Sequence, residues 1–553
     1  MRAPLSSTSA IDWTLAGLLA SSAYRFPRHR AVAIDGESLT YRQLSDAARA
    51  MARGLMEEGV RPGDRVAVVV TNTVDWVVIR FAVAIAGATL VAVNTRLRPA
   101  EMAYIFADAR PRIILVKRRV GRHDLLDRVR SALAELDRQQ AGARPYRPGV
   151  FVRPWESDVG DAARDLGELF RPPDGGPEPP ATSGALTPSS IANIQYTSGS
   201  SGTPKGVLLA HGPQVKNGFD FGSWLRLSPD DRFYSPGAFF HVAAGIALLG
   251  SVVAHGACLV STETFDAEHS LRLLEGEQCT AFYATQAAVA RIIGHERFAQ
   301  YQLPRLQKGW FAGPETLMRA TVEALGAPGL TCMYGLTEGT GVAASLPITA
   351  PIEDRLTTNG APLPGFTIQI LDPGTGAPLP PGAEGEIAIG GYAATRAYTG
   401  QAAPATATAT GHPELVRTGD LGYLDKRGLL HFQGRLIELL RVAGENVAPR
   451  EIEDVLLGHD EVAEVAVVRQ DDERKGQVPV AFVELVRGSR LRADELLGWL
   501  GTRLADFKIP ARVVFITDWP TTGSGKILRS ELQRSLEPDH GAGAAPASRQ
   551  QGS

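Results

Sequence analysis

Between residues 65 and 116 the chain alternates short β-branched runs with longer amphipathic ones. Residues 65–70, RVAVVV, follow the turn Pro62-Gly63-Asp64 and predict a buried parallel strand. Residues 76–86 predict a helix, 89–93 the next strand, 100–108 a helix and 112–116 a strand. This alternation predicts an α/β fold with a largely parallel sheet. Further strands are predicted over 191–196, 257–260, 281–283 and 330–334. The most apolar long stretch, 76–93, carries Arg80 and a glycine turn, so no membrane span is expected.

The texture changes near the C-terminus. Residues 449–457 predict a helix with Pro449 in its first turn, 462–468 and 478–486 strands, and 493–504 a helix. This reads as a separate small α+β domain of roughly a hundred residues. Residues 171–188 are rich in Pro, Gly and Ser and predict a loop, and the segment after 534 predicts a disordered tail.

Composition narrows the function. The 553 residues carry a formal net charge of −3, which implies no bulk attraction to nucleic acid or anionic membrane. The three cysteines, Cys258, Cys279 and Cys332, have neither metal-ligand spacing nor a disulfide framework. They are expected to be buried hydrophobes in a reducing compartment. Residues 1–10 lack a secretory pattern, so a cytoplasmic protein is expected.

Candidate chemistry begins at Thr197-Ser198-Gly199-Ser200-Ser201-Gly202-Thr203-Pro204-Lys205-Gly206, between two apolar runs. Glycines let backbone approach a ligand, and successive N–H groups can form an anion-binding nest. Hydroxyls add donors, and Lys205 adds a compact positive charge. The order Pro204-Lys205-Gly206 is not that of a Walker A loop. A phosphate cradle and a flexible linker both remain open on these residues alone.

Here the chain resembles a known family. The segment from Tyr196 to Val207 resembles the signature loop of the adenylate-forming superfamily, which holds acyl-CoA synthetases, peptide-synthetase adenylation domains and firefly-type luciferases. The resemblance runs from about residue 18 to residue 532 and is most like an acyl-CoA synthetase. It implies a large N-terminal ATP- and acyl-binding domain, residues 1–434, of mostly parallel sheets with flanking helices. It implies a small mobile α+β C-terminal domain, residues 435–534, and a tail over 535–553, with catalysis in the cleft between the domains.

The resemblance also assigns residues. Tyr334-Gly335-Leu336-Thr337-Glu338 matches the family's Tyr-Gly-x-Thr-Glu. It implies that Tyr334 packs on adenine with Gly335 beside it, that Thr337 touches phosphate and that Glu338 holds Mg²⁺. Gly313 and Pro314 lie where the family turns against adenine, and Ala312 departs mildly from that pattern. Asp420 would accept the ribose hydroxyls, and Arg435 would contact the nucleotide. Gly444, in the loop that lines the pantetheine tunnel of CoA-forming members, would approach the thiol arm. Lys526 would reach the carboxylate oxygen and the α-phosphate. His241 would gate or orient the acyl chain, or be a satisfied core histidine.

Two departures stand out. Ile437 occupies the hinge position, usually Asp or Lys. Arg396-Ala397-Tyr398 replaces a Lys/Met-Gly-Tyr run, a change expected to leave the phosphate chemistry untouched. The implied reaction activates a carboxylic acid with ATP and Mg²⁺ and passes the acyl group to coenzyme A. Two alternatives stay open: transfer to a carrier-protein thiol, and a catalytically silent nucleotide-binding protein. The stretches 239–245, 309–311 and 333–336 mix aromatics with Ala and Gly, which predicts a fatty, aromatic or bulky cyclic acid. A homodimer is left open.

Overall fold

The computed structural model describes residues 12–121, 123–139, 146–153, 164–170, 186–197, 204–395, 397–400, 415–436, 440–442, 445–472, 476–504, 508–521 and 527–536. The chain divides into two compact units, one of residues 1–418 with 423–431, the other of 419–422 with 432–553.

The first unit carries two seven-stranded sheets among the described residues. One runs Gly329–Thr331, Lys308–Trp310, Ala281–Tyr283, Arg232–Ser235, Cys258–Ser261, Arg30–Ile34, Glu37–Thr40, parallel except for the final hairpin. The other runs Lys205–Ala210, Ile191–Thr197, Thr89–Ala92, Arg65–Val69, Ile113–Lys117, Gly149–Arg153, Arg164–Asp165, parallel except for its first pair. The run Arg65–Val69 is buried from its second residue onward, as its unbroken Val/Ala sequence requires of a strand covered on both faces. The covering helix Val74–Ile85 buries Trp76 and Phe81 in the shared core. Thr73 caps it by accepting the Trp76 N–H at 3.2 Å. Arg80, the charge that interrupts this apolar stretch, donates to Asn193 Oδ1 at 3.2 Å and Gln214 Oε1 at 2.7 Å.

One expected strand divides. Residues 330–334 contribute to two strands, Gly329–Thr331 in the first sheet and Met333–Leu336 in a three-stranded antiparallel sheet with Gly341–Ser345 and Ala361–Pro362. The break falls at Cys332, whose N–H donates to the Arg355 carbonyl at 2.9 Å instead of joining either ladder. A hydrophobic run does not reveal which sheet each half will join.

In the second unit Val462–Asp472 and Gly476–Leu485 pair antiparallel, and Arg512–Phe515 joins the latter in parallel. The helices Pro449–Leu456 and Ala493–Gly501 place Ile452, Leu456, Leu496 and Leu500 on the same core as Val465 and Val483. Within that unit Glu453 is buried, donated to by the Val467 N–H at 2.7 Å and by Arg529 at 3.0 Å. Most of the predicted loop 171–188 and the tail beyond 536 lie outside the described residues. Among the described residues no helix is long and apolar enough to cross a membrane.

Candidate active site

All strands of the first sheet except the terminal Glu37–Thr40 run in one direction, so their C-terminal ends share an edge. Tyr283 ends a strand at that edge, and the segments leaving it carry His241 and Gly313 with Pro314. In open parallel sheets this edge is where ligands bind. Two buried amides tie the loop before His241 to the second sheet. Gln195 donates to the Phe240 carbonyl at 2.6 Å. Asn72 donates to the Gly237 carbonyl at 2.9 Å and accepts the Phe239 N–H at 2.8 Å. Neither residue belongs to a motif, so sequence reasoning passed them over.

The candidate phosphate loop proves shorter than its sequence signature. Thr197 ends one strand and Lys205 begins the next, and the two are direct antiparallel partners. Ser198, Gly199, Ser200, Ser201, Gly202 and Thr203 lie outside the described residues. A side chain at Gly206 would displace its neighbours: a Cβ there would stand 2.7 Å from Thr399 Oγ1 and 2.9 Å from Ile194 Cγ2.

Residues 397–399 lie against this hairpin. Leu208 N–H donates to the Ala397 carbonyl at 2.9 Å, and Thr399 N–H to the Gly206 carbonyl at 2.8 Å. This pairing carries Tyr398 between two predicted site residues. Its hydroxyl donates to Glu338 Oε1 at 3.3 Å, and Lys205 Nζ stands 5.8 Å from its ring centroid. Tyr398 is the position of the 396–398 run that is unaltered; of the two altered ones, Ala397 contributes its backbone carbonyl and Arg396 lies outside the described residues. The backbone pairing of Leu208 with Ala397 and of Thr399 with Gly206 brings Tyr398 to Glu338 and Lys205.

Glu338 sits half-buried in the short 3₁₀ turn Thr337–Gly339, with Thr337 also half-buried. The Glu338 carbonyl accepts the Thr395 N–H at 2.8 Å, which fixes the turn. Gly335 lies at a close strand approach, where a Cβ would meet the Gly341 carbonyl oxygen at 1.9 Å. Tyr334 is buried beneath it. Thr340 adopts φ 59° and ties down by donating to the Ala393 carbonyl at 2.9 Å. A single held carboxylate suits Mg²⁺, which takes the rest of its oxygens from phosphates and water.

His241 opens a π-helical segment, Val242–Leu248, a local geometry that recurs at functional sites. Gly245 permits it, since a Cβ there would stand 1.9 Å from the Phe239 carbonyl oxygen. The imidazole Nε2 is buried and has no hydrogen-bond partner among the described residues. Burial, reinforced by the nearby Arg96 guanidinium, pushes the His241 pKa down to about 4. Arg96 was also missed. It leaves the C-terminal end of the strand Thr89–Ala92, beside the strand that feeds the hairpin, and that position was its available signal.

An aromatic wall stands on the same edge. The Tyr283 and Trp310 rings stack with centroids 3.9 Å apart and planes 12° apart, and Phe221 meets Trp310 edge-on at 5.4 Å. Gly237 lies against it, its absent Cβ 2.8 Å from Tyr283 Cε1. Gly313 adjoins Phe311, and Pro314 caps the helix Glu315–Leu325. The three cysteines are buried, and burial pushes the Cys258 thiol up to about 11.

In the second unit Asp420 is buried and forms an ion pair with Arg435, Nε to Oδ1 2.8 Å. Ile437, Gly444 and Lys526 lie outside the described residues.

Comparison with known proteins identifies the family. The family model described as AMP-binding enzyme matches residues 19–399, and that of the AMP-binding enzyme C-terminal domain matches residues 451–526. A putative acyl-CoA synthetase of Bacillus subtilis (strain 168) is 30% identical over 533 residues, covering 95% of this chain and 97% of the relative. A feruloyl-CoA synthase of an Amycolatopsis species is 31% identical over 519 residues, covering 92% and 96%. Among solved structures, the anthranilate CoA ligase AuaEII in complex with anthranoyl-AMP shares the fold. Its TM-score is 0.83 at 24% identity, over 95% of this chain and 97% of that one.

Proposed function

The chain belongs to the AMP-binding enzyme family, and from that premise we propose that it ligates a hydrophobic carboxylic acid to coenzyme A through an acyl-adenylate. The observation that carries this reading is the cluster of Lys205, Tyr398 and Glu338 beside the Thr197–Lys205 pair. It sets a cation and a metal-competent carboxylate beside the strand ends that flank a sequence of hydroxyls and glycines, residue types that a triphosphate site uses.

In the first step a carboxylate oxygen attacks the α-phosphorus of ATP, and the bond to pyrophosphate breaks. The loop from Ser198 to Thr203, with Lys205 and Thr337, binds the phosphates. When Mg²⁺ is bound it supplies charge neutralisation at the phosphate oxygens, and Glu338 holds it there. Tyr398 keeps the Glu338 carboxylate oriented. Tyr334, Gly335, Gly313 and Pro314 seat the adenine, and Asp420 and Arg435 bind the ribose. Lys526 stabilises charge on the α-phosphate as it develops, the preorganised kind of stabilisation. In the second step the CoA thiolate attacks the acyl carbon, AMP leaves, and Gly444 gives the pantetheine arm room.

The stacked Tyr283 and Trp310, with Phe239, Phe240 and the small residues Gly237 and Ala244, support a hydrophobic acid of fatty, aromatic or bulky cyclic form. His241, held neutral, orients the acyl group by a hydrogen bond at Nε2. The absence of any described disulfide and the buried thiols support a cytoplasmic setting. Pyrophosphate exchange over a panel of acids tests the reading. Exchange with hydrophobic acids is expected; a preference for small polar acids refutes the pocket, and no exchange with any acid refutes the enzyme. Mass detection of an acyl-CoA product distinguishes CoA from a carrier-protein thiol as the acceptor.

A further inference from the structure

A second basic cluster lies at the opposite end of the second sheet. A cavity of about 510 Å³ opens at the N-terminal ends of the strands Arg65–Val69, Ile113–Lys117 and Gly149–Arg153. Those strands run parallel to the one that feeds the phosphate hairpin, so their N-terminal ends point away from it. A five-residue strand separates its two ends by about 13 Å. The cavity is therefore distinct from the candidate active site.

Five arginines line it, Arg65, Arg110, Arg112, Arg147 and Arg164, against two carboxylates, Glu58 and Asp64. This reverses the sign of the whole chain, whose formal net charge is −3. Not all five are available. Arg164 is held by Glu58 at 2.6 Å and Glu168 at 2.8 Å, and Arg147 by Asp137 at 2.6 Å.

The others are differently placed. Among the described residues Arg65 donates to the backbone carbonyls of Ala109, at 2.9 Å, and Arg110, at 3.4 Å. Its guanidinium is thereby oriented without being neutralised. Arg110 adopts φ 45°, and its guanidinium lies 5.7 Å from the Tyr146 ring centroid. Arg112 meets Asp64 only at 4.0 Å. Among the described residues neither Arg65 nor Arg110 has a carboxylate partner. Like charges gather at a cost that an occupant of opposite sign removes.

We propose that this cavity is a binding site for a small oligophosphate, held by Arg65, Arg110 and Arg112. Planar guanidinium forks match phosphate oxygens two at a time, which favours phosphate over a monovalent anion. An open mouth and a volume near 510 Å³ admit two or three linked phosphates with their water.

The test is calorimetric titration of the full chain with inorganic tripolyphosphate. The enzyme is first saturated with α,β-methylene ATP and Mg²⁺, so that the nucleotide site is filled. One equivalent is expected to bind, with affinity falling steeply as salt rises. The double variant R110Q/R112Q, both exposed positions, is expected to weaken binding at least tenfold and to leave ligase kcat and KM unchanged without tripolyphosphate. The control R487Q/R490Q, two exposed arginines of the other unit, is expected to bind as the wild type does. No binding to the saturated wild type overturns the proposal. So does undiminished binding in R110Q/R112Q, or equal loss in the control. Because the readout is binding, it stands or falls independently of the acid that the enzyme activates.

Discussion

His241 offers the most direct measurement of the candidate site. Its pKa is lowered from 6.5 to about 4, chiefly by burial and then by Arg96. The native state thus refuses a proton that the unfolded chain accepts. Stability is unaffected above pH 6.5 and falls as pH drops from there towards 4, because the unfolded state binds more protons in that window. The full shift corresponds to about 3 kcal/mol, of which about 2 kcal/mol is lost by pH 5. His241→Asn removes this contribution. Urea unfolding of wild type and variant at pH 7.5 and pH 5, followed by tryptophan fluorescence, isolates it. His211 is displaced in the same direction, also first by burial, but it is common to both proteins and cancels. The wild type is expected to lose about 2 kcal/mol more than the variant on acidification. Parallel losses would refute the reasoning, as would an imidazole proton resonance of His241 that titrates above pH 6.

Four further outcomes are expected. Glu338→Gln should lower adenylation by roughly 10²–10³, the usual effect of removing one transition-state contact, and should raise the Mg²⁺ concentration needed; unchanged Mg²⁺ dependence in pyrophosphate exchange counts against the metal role. Gly335→Ala forces a Cβ within 1.9 Å of the Gly341 carbonyl oxygen, and the strand shift should displace Glu338 and lower kcat by roughly 10²; a near-normal rate contradicts this. Trp310→Ala removes a fully buried stacked ring, should destabilise by about 3–5 kcal/mol and should move the acid preference towards bulkier substrates; an unchanged ranking of acids would show that the wall does not face the acyl group. Arg529→Met leaves the buried Glu453 carboxylate without its cation and should cost about 3 kcal/mol or more, read as faster amide exchange in Val462–Asp472; exchange as slow as in the wild type refutes it.

Much of the fold is written locally. The β-branched runs at 65–69 and 113–117 and the helices between them are legible because each element's periodicity and burial are carried by its own residues. The motifs at Tyr334 to Glu338 and at Lys205 are legible for a similar reason. The proposed phosphate cradle draws on small residues, hydroxyls and a cation in a fixed order, and that order is local. The rest depends on partners far along the chain. Asn72 clamps a loop 165 residues away, and Tyr398 reaches a carboxylate 60 residues away through an isolated backbone bridge to Val207. The residues at 330–334 read as one strand and are divided between two sheets by the Cys332 hydrogen bond to Arg355. The sequence by itself determined the element types and the order of the chemical groups, since these follow from local propensity and spacing. Only the tertiary structure decided that His241 stays neutral, that Tyr398 stands between Lys205 and Glu338, and that arginines from separate segments share one cavity. Burial and charge proximity are properties of packed surfaces, and packing is what brings distant residues within a few ångströms of one another.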